Sequence, residues 1–339
     1  MSWGGGQTNT PVGLSNVTAI SVAVDHSLAL KSDGTLVAWG YNFDGQCDLP
    51  AELNSVTAIA AGPFFSVAVK SDGSVVAWGN NQSGQCHVPP SLAGVSAISA
   101  GRAHCLAMKS NGTVAAWGAN DYGQCDVPAG LNNVVAVVAP WNYSLILKSN
   151  GTVVGWGEDE AGQTDVPAEL VNVVAIAGNM TYAMALKADG SVVAWGHSPN
   201  LPLGLADIKA IAAGEDHSLA LSANGSVIAW GADGSEQTDV PSAITNASAI
   251  GAGWNYSLAL VTQQPSSPAF ALKNPNWTTN GFSVSVFGEN GKTYSLEYTT
   301  LLKDSNWTSL QSLSGTGSAL TFVDSAINTA QKFYRVRQQ

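Results

Sequence analysis

Histidine is the side chain best suited to proton transfer near neutral pH. Three of the five in this chain, His26, His104 and His217, open the same kind of segment, His-Ser-Leu-Ala-Leu or His-Cys-Leu-Ala-Met. Elsewhere in the chain the same place is held by Phe65, Tyr143, Tyr182 or Tyr256. A place that accepts phenylalanine does not need an imidazole, so the expected role is packing with one ring nitrogen hydrogen-bonded. Glu158, Asp159 and Glu160, or Glu215 and Asp216, could form a glycosidase-type pair of acid and base. Nothing marks one pair as special, and such runs read as solvated loop charges. No serine or cysteine is placed as an activated nucleophile, and no glycine-rich phosphate loop precedes a helix. No catalytic residue is therefore assigned, no cofactor is expected, and the chain is expected not to be an enzyme.

The four cysteines, Cys47, Cys86, Cys105 and Cys125, have none of the C-x-x-C spacing of a zinc site. Three of them share one place, in Gly-Gln-Cys, so they point the same way from neighbouring units. A disulfide would need Cα atoms within about 7 Å, which leaves unpaired, buried thiols as the expected state. The recurring Asp-x-Gly turns lack the alternating acids of a calcium loop. No metal site is assigned. Sequons such as Asn111-Gly112-Thr113 fall out of the repeat itself.

What positions these residues is a repeat. Trp-Gly recurs at Trp3, Trp39, Trp78, Trp117, Trp156, Trp195 and Trp230, with every interval from Trp39 to Trp195 equal to 39 residues. An alanine followed by Ile or Val opens each unit at Ala19, Ala58, Ala97, Ala136, Ala175, Ala210 and Ala249. Both markers count to seven. Each unit reads as four strands. The first two are of the type VTAIAAG and HSLALKS; an Asp-Gly or Asn-Gly turn and TVVAWG follow, and a brief CDVP strand closes the unit. This grammar at this period predicts propeller blades. The seventh unit stops near Leu260, and its missing half stands at the other terminus, Ser2-Trp3-Gly4-Gly5-Gly6-Gln7 with Thr10-Pro11. The expectation is an all-β, seven-bladed β-propeller over residues 1–261, closed by pairing of its N- and C-terminal repeat halves. A linker at 262–268 and a small β-sandwich at 269–339 follow, the latter with core from Trp277, Tyr294, Trp307, Phe322 and Tyr334.

The units AIAAGEDHSLALSANGSVIAWG (210–231) and AIAAGPFFSVAVKSDGSVVAWGNNQSGQCHVP (58–89) resemble the repeats of the regulator of chromosome condensation superfamily. The VVAWG…N…GQ…VP grammar is most similar to its secreted bacterial branch, which includes type II β-lactamase inhibitor proteins. That resemblance implies seven blades, and it implies that loops of one face contact a protein partner. The C-terminal module resembles small β-domains appended to secreted proteins of environmental bacteria.

Bulk properties narrow the function classes. A content of 45% hydrophobic and 11% charged residues fits extensive buried sheet, and no apolar run approaches the ~20 residues of a membrane span, so membrane insertion is not expected. Residues 1–267 carry 20 acidic against 7 basic side chains. Nucleic acid is not an expected partner, because no cationic stripe exists to displace phosphate counterions.

In an antiparallel meander, alternate connections emerge on opposite sides. On one side the turns are near copies, from Lys31-Ser32-Asp33-Gly34 to Lys187-Ala188-Asp189-Gly190. On the other, the two residues before the His/Tyr place differ in every unit: Val24-Asp25, Pro63-Phe64, Arg102-Ala103, Trp141-Asn142, Met180-Thr181, Glu215-Asp216 and Trp254-Asn255. The loops after Trp-Gly vary too. The residues assigned to a binding face are Tyr41, Phe43, Phe64, Arg102, Asp121, Tyr122, Trp141, Asp159, Met180, Asp216 and Trp254, a mixture of aromatics and acids typical of protein recognition. The chain opens inside a strand with no signal peptide, which reads as a trimmed form of a secreted or cell-surface protein. The expected function is a protein-binding propeller, an inhibitor of a β-lactamase-like or cell-wall enzyme. The alternatives are a self-assembling structural or adhesive surface protein, binding copies of itself, and a glycan-binding module stacking sugars on Trp141 and Trp254.

Overall fold

The computed structural model describes residues 1–5, 9–197, 201–261, 273–278, 281–288, 290–299, 307–325 and 332–338. The chain divides into two compact units, Met1–Thr262 and Gln263–Gln339. Every regular element among the described residues is a strand.

The first unit contains seven three-stranded antiparallel sheets among the described residues. Sheet one is Val17–Val22, His26–Lys31 and Leu36–Gly40. The next five repeat that order. Sheet seven joins Ala247–Ala252 and Tyr256–Val261 to Ser2–Gly4 from the far end of the chain, with Trp3 opposite Ser257. The middle strands are buried on both faces, His26–Leu30 for instance throughout, as expected for strands covered on two sides. Their hydrophobic residues therefore run on instead of alternating. Each first strand carries a bulge at its start, between Val17 and Ala19 and at the equivalent place in the other six. That extra residue is not readable from the apolar pattern.

The hairpins follow from local turn chemistry. Lys31 and Thr35 bracket a three-residue loop in which Gly34 takes φ 78°. Asp33 Oδ1 accepts the Thr35 N–H at 3.0 Å and hydroxyl at 2.6 Å. Asp72, Asn111, Asn150 and Asp189 repeat this arrangement. These bonds hold the Asp33, Asp72 and Asp189 carboxyls below their usual range.

A fourth strand does not form at Cys-Asp-Val-Pro. The segment is turn and irregular backbone, because its amides are taken locally. Cys47 N–H donates to Asn42 Oδ1 at 2.7 Å and Asp48 N–H to the Gly45 carbonyl, while the following proline has no N–H to give to a ladder. The glutamine before it works across units instead. The Gln46 carbonyl accepts the Trp78 indole N–H at 2.9 Å, and Gln85, Gln124 and Gln163 accept those of Trp117, Trp156 and Trp195. Gln237 does the same for Trp3, 234 residues away in sequence. The thiols are free and, apart from buried Cys105, half-buried, with Cys86 Sγ donating to the Asn80 carbonyl. This is a lesser burial than expected for three of the four.

The second unit holds two three-stranded sheets, one of Lys273–Thr278, Gly281–Gly288 and Ser318–Asp324, the other of Thr293–Thr299, Thr308–Ser314 and Phe333–Gln338. Phe282, Val284, Val286, Leu320 and Phe322 from the first meet Tyr294 and Leu296 from the second in one core. Tyr294 and Phe322 are buried as expected and Tyr334 packs against them. Trp307 is not core: it is half-buried with the Arg335 guanidinium 4.2 Å over its ring. The Trp277 side chain lies outside the described residues.

Candidate functional site

The His/Tyr/Phe place is a sealed layer between sheets. His26, Phe65, His104, Tyr143, Tyr182, His217 and Tyr256 are all buried, and six of the seven reach the next sheet by a hydrogen bond. His26, His104 and His217 Nε2 meet the hydroxyls of Ser66, Ser144 and Ser257 at 2.8, 3.2 and 2.9 Å. Each serine hydroxyl in turn donates to a glutamine carbonyl, of Gln46, Gln124 and Gln237. Since the serine proton is spent on that carbonyl, the imidazole is the donor to Oγ and not its base. These His–Ser pairs are therefore not activated nucleophiles. Burial holds all three histidines down to about 4, neutral over the physiological range. Tyr143 OH donates to the Tyr182 carbonyl at 2.7 Å, and Tyr182 OH lies 2.9 Å from the His217 carbonyl and 2.7 Å from Ser218 Oγ. Tyr256 OH joins sheet seven to sheet one, at 3.0 Å from both the His26 carbonyl and Ser27 Oγ.

Two residues upstream of each sealed side chain the chain turns outward. One side chain from every sheet, Val24, Pro63, Arg102, Trp141, Met180, Glu215 and Trp254, lines a single cavity of about 130 Å³. Glycine makes this approach feasible: a Cβ on Gly101, Gly214 or Gly253 would stand 2.4 Å from the ring of His104, His217 or Tyr256.

The loop after each Trp-Gly is fixed to this turn by the same bond in all seven sheets. Tyr41, Asn80, Ala119, Glu158, His197, Ala232 and Gly5 donate their N–H groups to the carbonyls of Asp25, Phe64, Ala103, Asn142, Thr181, Asp216 and Asn255. The preceding glycine is required there: Gly40 has φ 114°, and a Cβ on it would lie 2.4 Å from the Asp25 carbonyl. Two variable loops per sheet thus leave the same end, held together at their bases.

The structure separates the eleven expected face residues into two groups. Arg102, Trp141, Met180 and Trp254 line the cavity, while Tyr41, Phe43, Phe64, Asp121, Tyr122, Asp159 and Asp216 stand outside it. Phe43 is 83% exposed and lies 6.3 Å from Tyr41, ring to ring; Phe64, Tyr122 and Trp254 are also exposed. Asp159 has a structural duty, its Oδ1 accepting the Thr164 N–H at 2.7 Å. The Arg102 guanidinium lies 5.3 Å over Trp141, covering one face of that ring. The sequence-based assignment left out Val24, Pro63 and Glu215, although their equal offset from the sealed layer marks them. Asn179, also missed, spans two sheets by donating to the Gly214 carbonyl at 2.5 Å.

The cations of this unit are segregated to one end of the sheets. Lys31, Lys70, Lys109, Lys148 and Lys187 end middle strands beside the hairpins, and Lys209 lies near the start of a first strand at that same end. Arg102 is the only arginine or lysine at the loop end among the described residues of this unit, an end that also carries Asp25, Asp121, Glu158, Asp159, Glu160, Glu215 and Asp216. Burial raises the Asp25 carboxyl; burial and then neighbouring Asp216 raise that of Glu215. No group of three or more His, Cys, Asp or Glu side chains fit to hold a metal occurs among the described residues.

Against known proteins, residues 17–46, 56–85, 95–124 and 208–237 match the Regulator of chromosome condensation (RCC1) repeat. No curated protein matches the chain. Among solved structures it is similar to Prp20p from Saccharomyces cerevisiae, at 20% identity and a TM-score of 0.65 over 76% of this chain and 90% of that one. Human WBSCR16 is similar at 18% identity and a TM-score of 0.62, over 74% and 88%. The CRINKLY ectodomain of the Arabidopsis thaliana receptor kinase ACR4 is similar at 18% identity and 0.61, over 74% and 94%. Four of the repeats thus match the RCC1 repeat, and the first unit shares the propeller fold of these neighbours.

Proposed function

We propose that this chain is a secreted or cell-surface protein-binding propeller and not an enzyme, with its seven sheets as the blades of one closed ring and the loop end as its docking face. Closure is supported by the Trp3–Gln237 and Tyr256–His26 bonds, which are of the same kinds that join neighbouring sheets elsewhere, as in Trp78–Gln46 and Tyr143–Tyr182. The observation that carries the binding reading is the seven-fold pairing of loops on one end, which presents Phe43, Phe64, Tyr122 and Trp254 on rigid bases. Exposed aromatics on preorganised loops are the usual anchors of a protein interface. Prp20p, a structure of the same fold, is described with its binding to Gsp1p and histones, which supports a protein as the partner class. The inhibitor form of the proposal places a β-lactamase-like or cell-wall enzyme on this face.

A photo-crosslinking amino acid tests the face directly. Benzoylphenylalanine in place of Phe43 is expected to give a discrete adduct with one protein of the producing cell's outer fraction, and in place of Ser71, on a hairpin, none. Adducts of equal yield at both positions, or none at 43, would remove the proposal. The inhibitor form is checked by following turnover of a serine β-lactamase and of a peptidoglycan transpeptidase with the chain added, where unchanged rates would exclude it.

A further inference from the structure

The chain contains two internal copies of one segment, Trp141-Asn142-Tyr143-Ser144-Leu145 and Trp254-Asn255-Tyr256-Ser257-Leu258. Both tyrosines are buried, both serines donate to a glutamine carbonyl, and both tryptophans line the same cavity. The copies differ in what stands beside the tryptophan. Trp141 is preceded on the neighbouring sheet by Arg102, whose N–H donates to the Trp141 carbonyl at 2.9 Å and whose guanidinium covers the ring. Trp254 is preceded at the equivalent place by Glu215, whose N–H donates to the Gly253 carbonyl at 3.3 Å.

The surroundings of Trp254 are open where those of Trp141 are filled. Asn142 binds Glu158 of the adjoining loop at 2.9 Å, whereas the loop beside Asn255 is Gly4 and Gly5, without side chains. Trp141 is half-buried and Trp254 is 47% exposed. No cation lies over Trp254, and Glu215 and Asp216 form no ion pair, among the described residues. One copy thus holds its own cation on the indole; the other presents the indole with one carboxylate, that of Glu215, at the chain position equivalent to Arg102.

We infer that Trp254 and Glu215 form a receptor for one arginine side chain of the partner protein, seated on Trp254 as Arg102 is seated on Trp141, with Asp216 adding negative charge from outside the cavity. The inference rests on the loop end being a protein-binding face and names the chemistry its partner brings. A guanidinium suits the site because its flat face stacks on an indole while its edge donates to carboxylates. Desolvation of Glu215, evident in its raised carboxyl, means that its charge is under-compensated until a cation arrives.

The test uses the full chain with ¹⁵N-labelled indoles and N-acetylarginine amide as probe, the Trp254 signal being the one missing from Trp254→Phe. A saturable shift of that signal is expected, weakened about tenfold with the uncharged N-acetylcitrulline amide and by a similar factor in Glu215→Gln. In Glu215→Arg the chain's own guanidinium should move the Trp254 signal with no probe added and abolish the response to it. No saturable shift, or equal responses to the arginine and citrulline probes, would overturn the inference. If the arginine probe fails while the Phe43 crosslink still forms, the receptor falls and the docking face stands; if the crosslink fails too, the face itself is wrong.

Discussion

Two neighbouring layers of the propeller vary from sheet to sheet, and they vary for different reasons. In the sealed layer the sequence runs His26, Phe65, His104, Tyr143, Tyr182, His217, Tyr256, and every change is answered in the next sheet. Where the ring is histidine, the next sheet supplies a serine at 2.8–3.2 Å. Where it is Phe65, which has no polar atom, the serine place is Cys105. Where the next sheet has Ala183, Tyr143 bonds the Tyr182 carbonyl instead. Two residues upstream, the cavity layer runs Val24, Pro63, Arg102, Trp141, Met180, Glu215, Trp254. Of these, only Arg102 and Trp141 form a matched pair. Variation answered by a neighbour maintains packing and hydrogen bonds; unanswered variation at a rigid, open position is free to serve recognition.

The sharpest way to break this distinction is to truncate adjacent members of the two layers. Tyr182 is 1% exposed and bonded to sheet six, and Met180, two residues earlier, is half-buried at the cavity wall. Tyr182→Ala should cost about 3–5 kcal/mol, the loss for a fully buried aromatic, and Met180→Ala under about 1 kcal/mol. Urea midpoints at a common slope measure both. Similar losses at the two positions would mean that the cavity layer is scaffold as well.

The next largest effect is a pH dependence carried by the histidines of the sealed layer. Its three histidines stand near 4 in the folded chain against 6.5 when exposed, because burial disfavours the imidazolium. The folded state therefore binds fewer protons than the unfolded one between these values. Stability is complete above pH 6.5 and falls as the pH drops toward 4, by up to about 3 kcal/mol per histidine. His104→Tyr, which copies the Tyr256 arrangement over an equivalent glycine, should remove about a third of that slope. A slope unchanged by the substitution would show that carboxylates, not the buried imidazoles, govern acid unfolding.

Much of this scaffold is readable from the amino-acid pattern. Trp-Gly ends each third strand, Asp-Gly and Asn-Gly mark the hairpins, and Ser2-Trp3-Gly4 pairs with Tyr256–Leu258 where the missing half of the last unit is expected. The Cys-Asp-Val-Pro segment misleads because strand-like side chains sit on a backbone whose donors are consumed by Asn42, Asn81 and Asn120. Those asparagines lie five residues upstream, where propensity has no view of them. The bulges are equally hidden: the preceding residue takes positive φ, at Asn16, Ser55, Gly94, Asn133, Asn172 and Asp207, but nothing in an apolar alternation counts the extra residue. At the face, bulk and charge drew attention to Trp141 and Trp254 and away from Glu215. The contrast of Arg102 with Glu215 appears only when two sheets are laid side by side.

The smallest effect tests whether the answering of one layer by the next is a rule or a coincidence. Phe65 is the only sealed side chain without a hydrogen bond to its successor, and it lies against Gly62 as Tyr256 lies against Gly253, each glycine standing 2–3 Å from the ring edge if given a Cβ. Phe65→Tyr adds a hydroxyl aimed toward sheet three. The matching serine is absent there, but Tyr143 shows that a backbone carbonyl suffices, since it bonds the Tyr182 carbonyl with Ala183 in the serine place. The equivalent acceptor for residue 65 is the carbonyl of His104. If that bond forms, the variant is as stable as the parent or gains up to about 1 kcal/mol, the net worth of one buried hydrogen bond. If the carbonyl is out of reach, the buried hydroxyl goes unpaired and the same substitution costs about 1–3 kcal/mol. The sign of the change in urea midpoint thus decides whether Phe65 and Cys105 are a matched apolar pair or simply a place where the layer tolerates either chemistry.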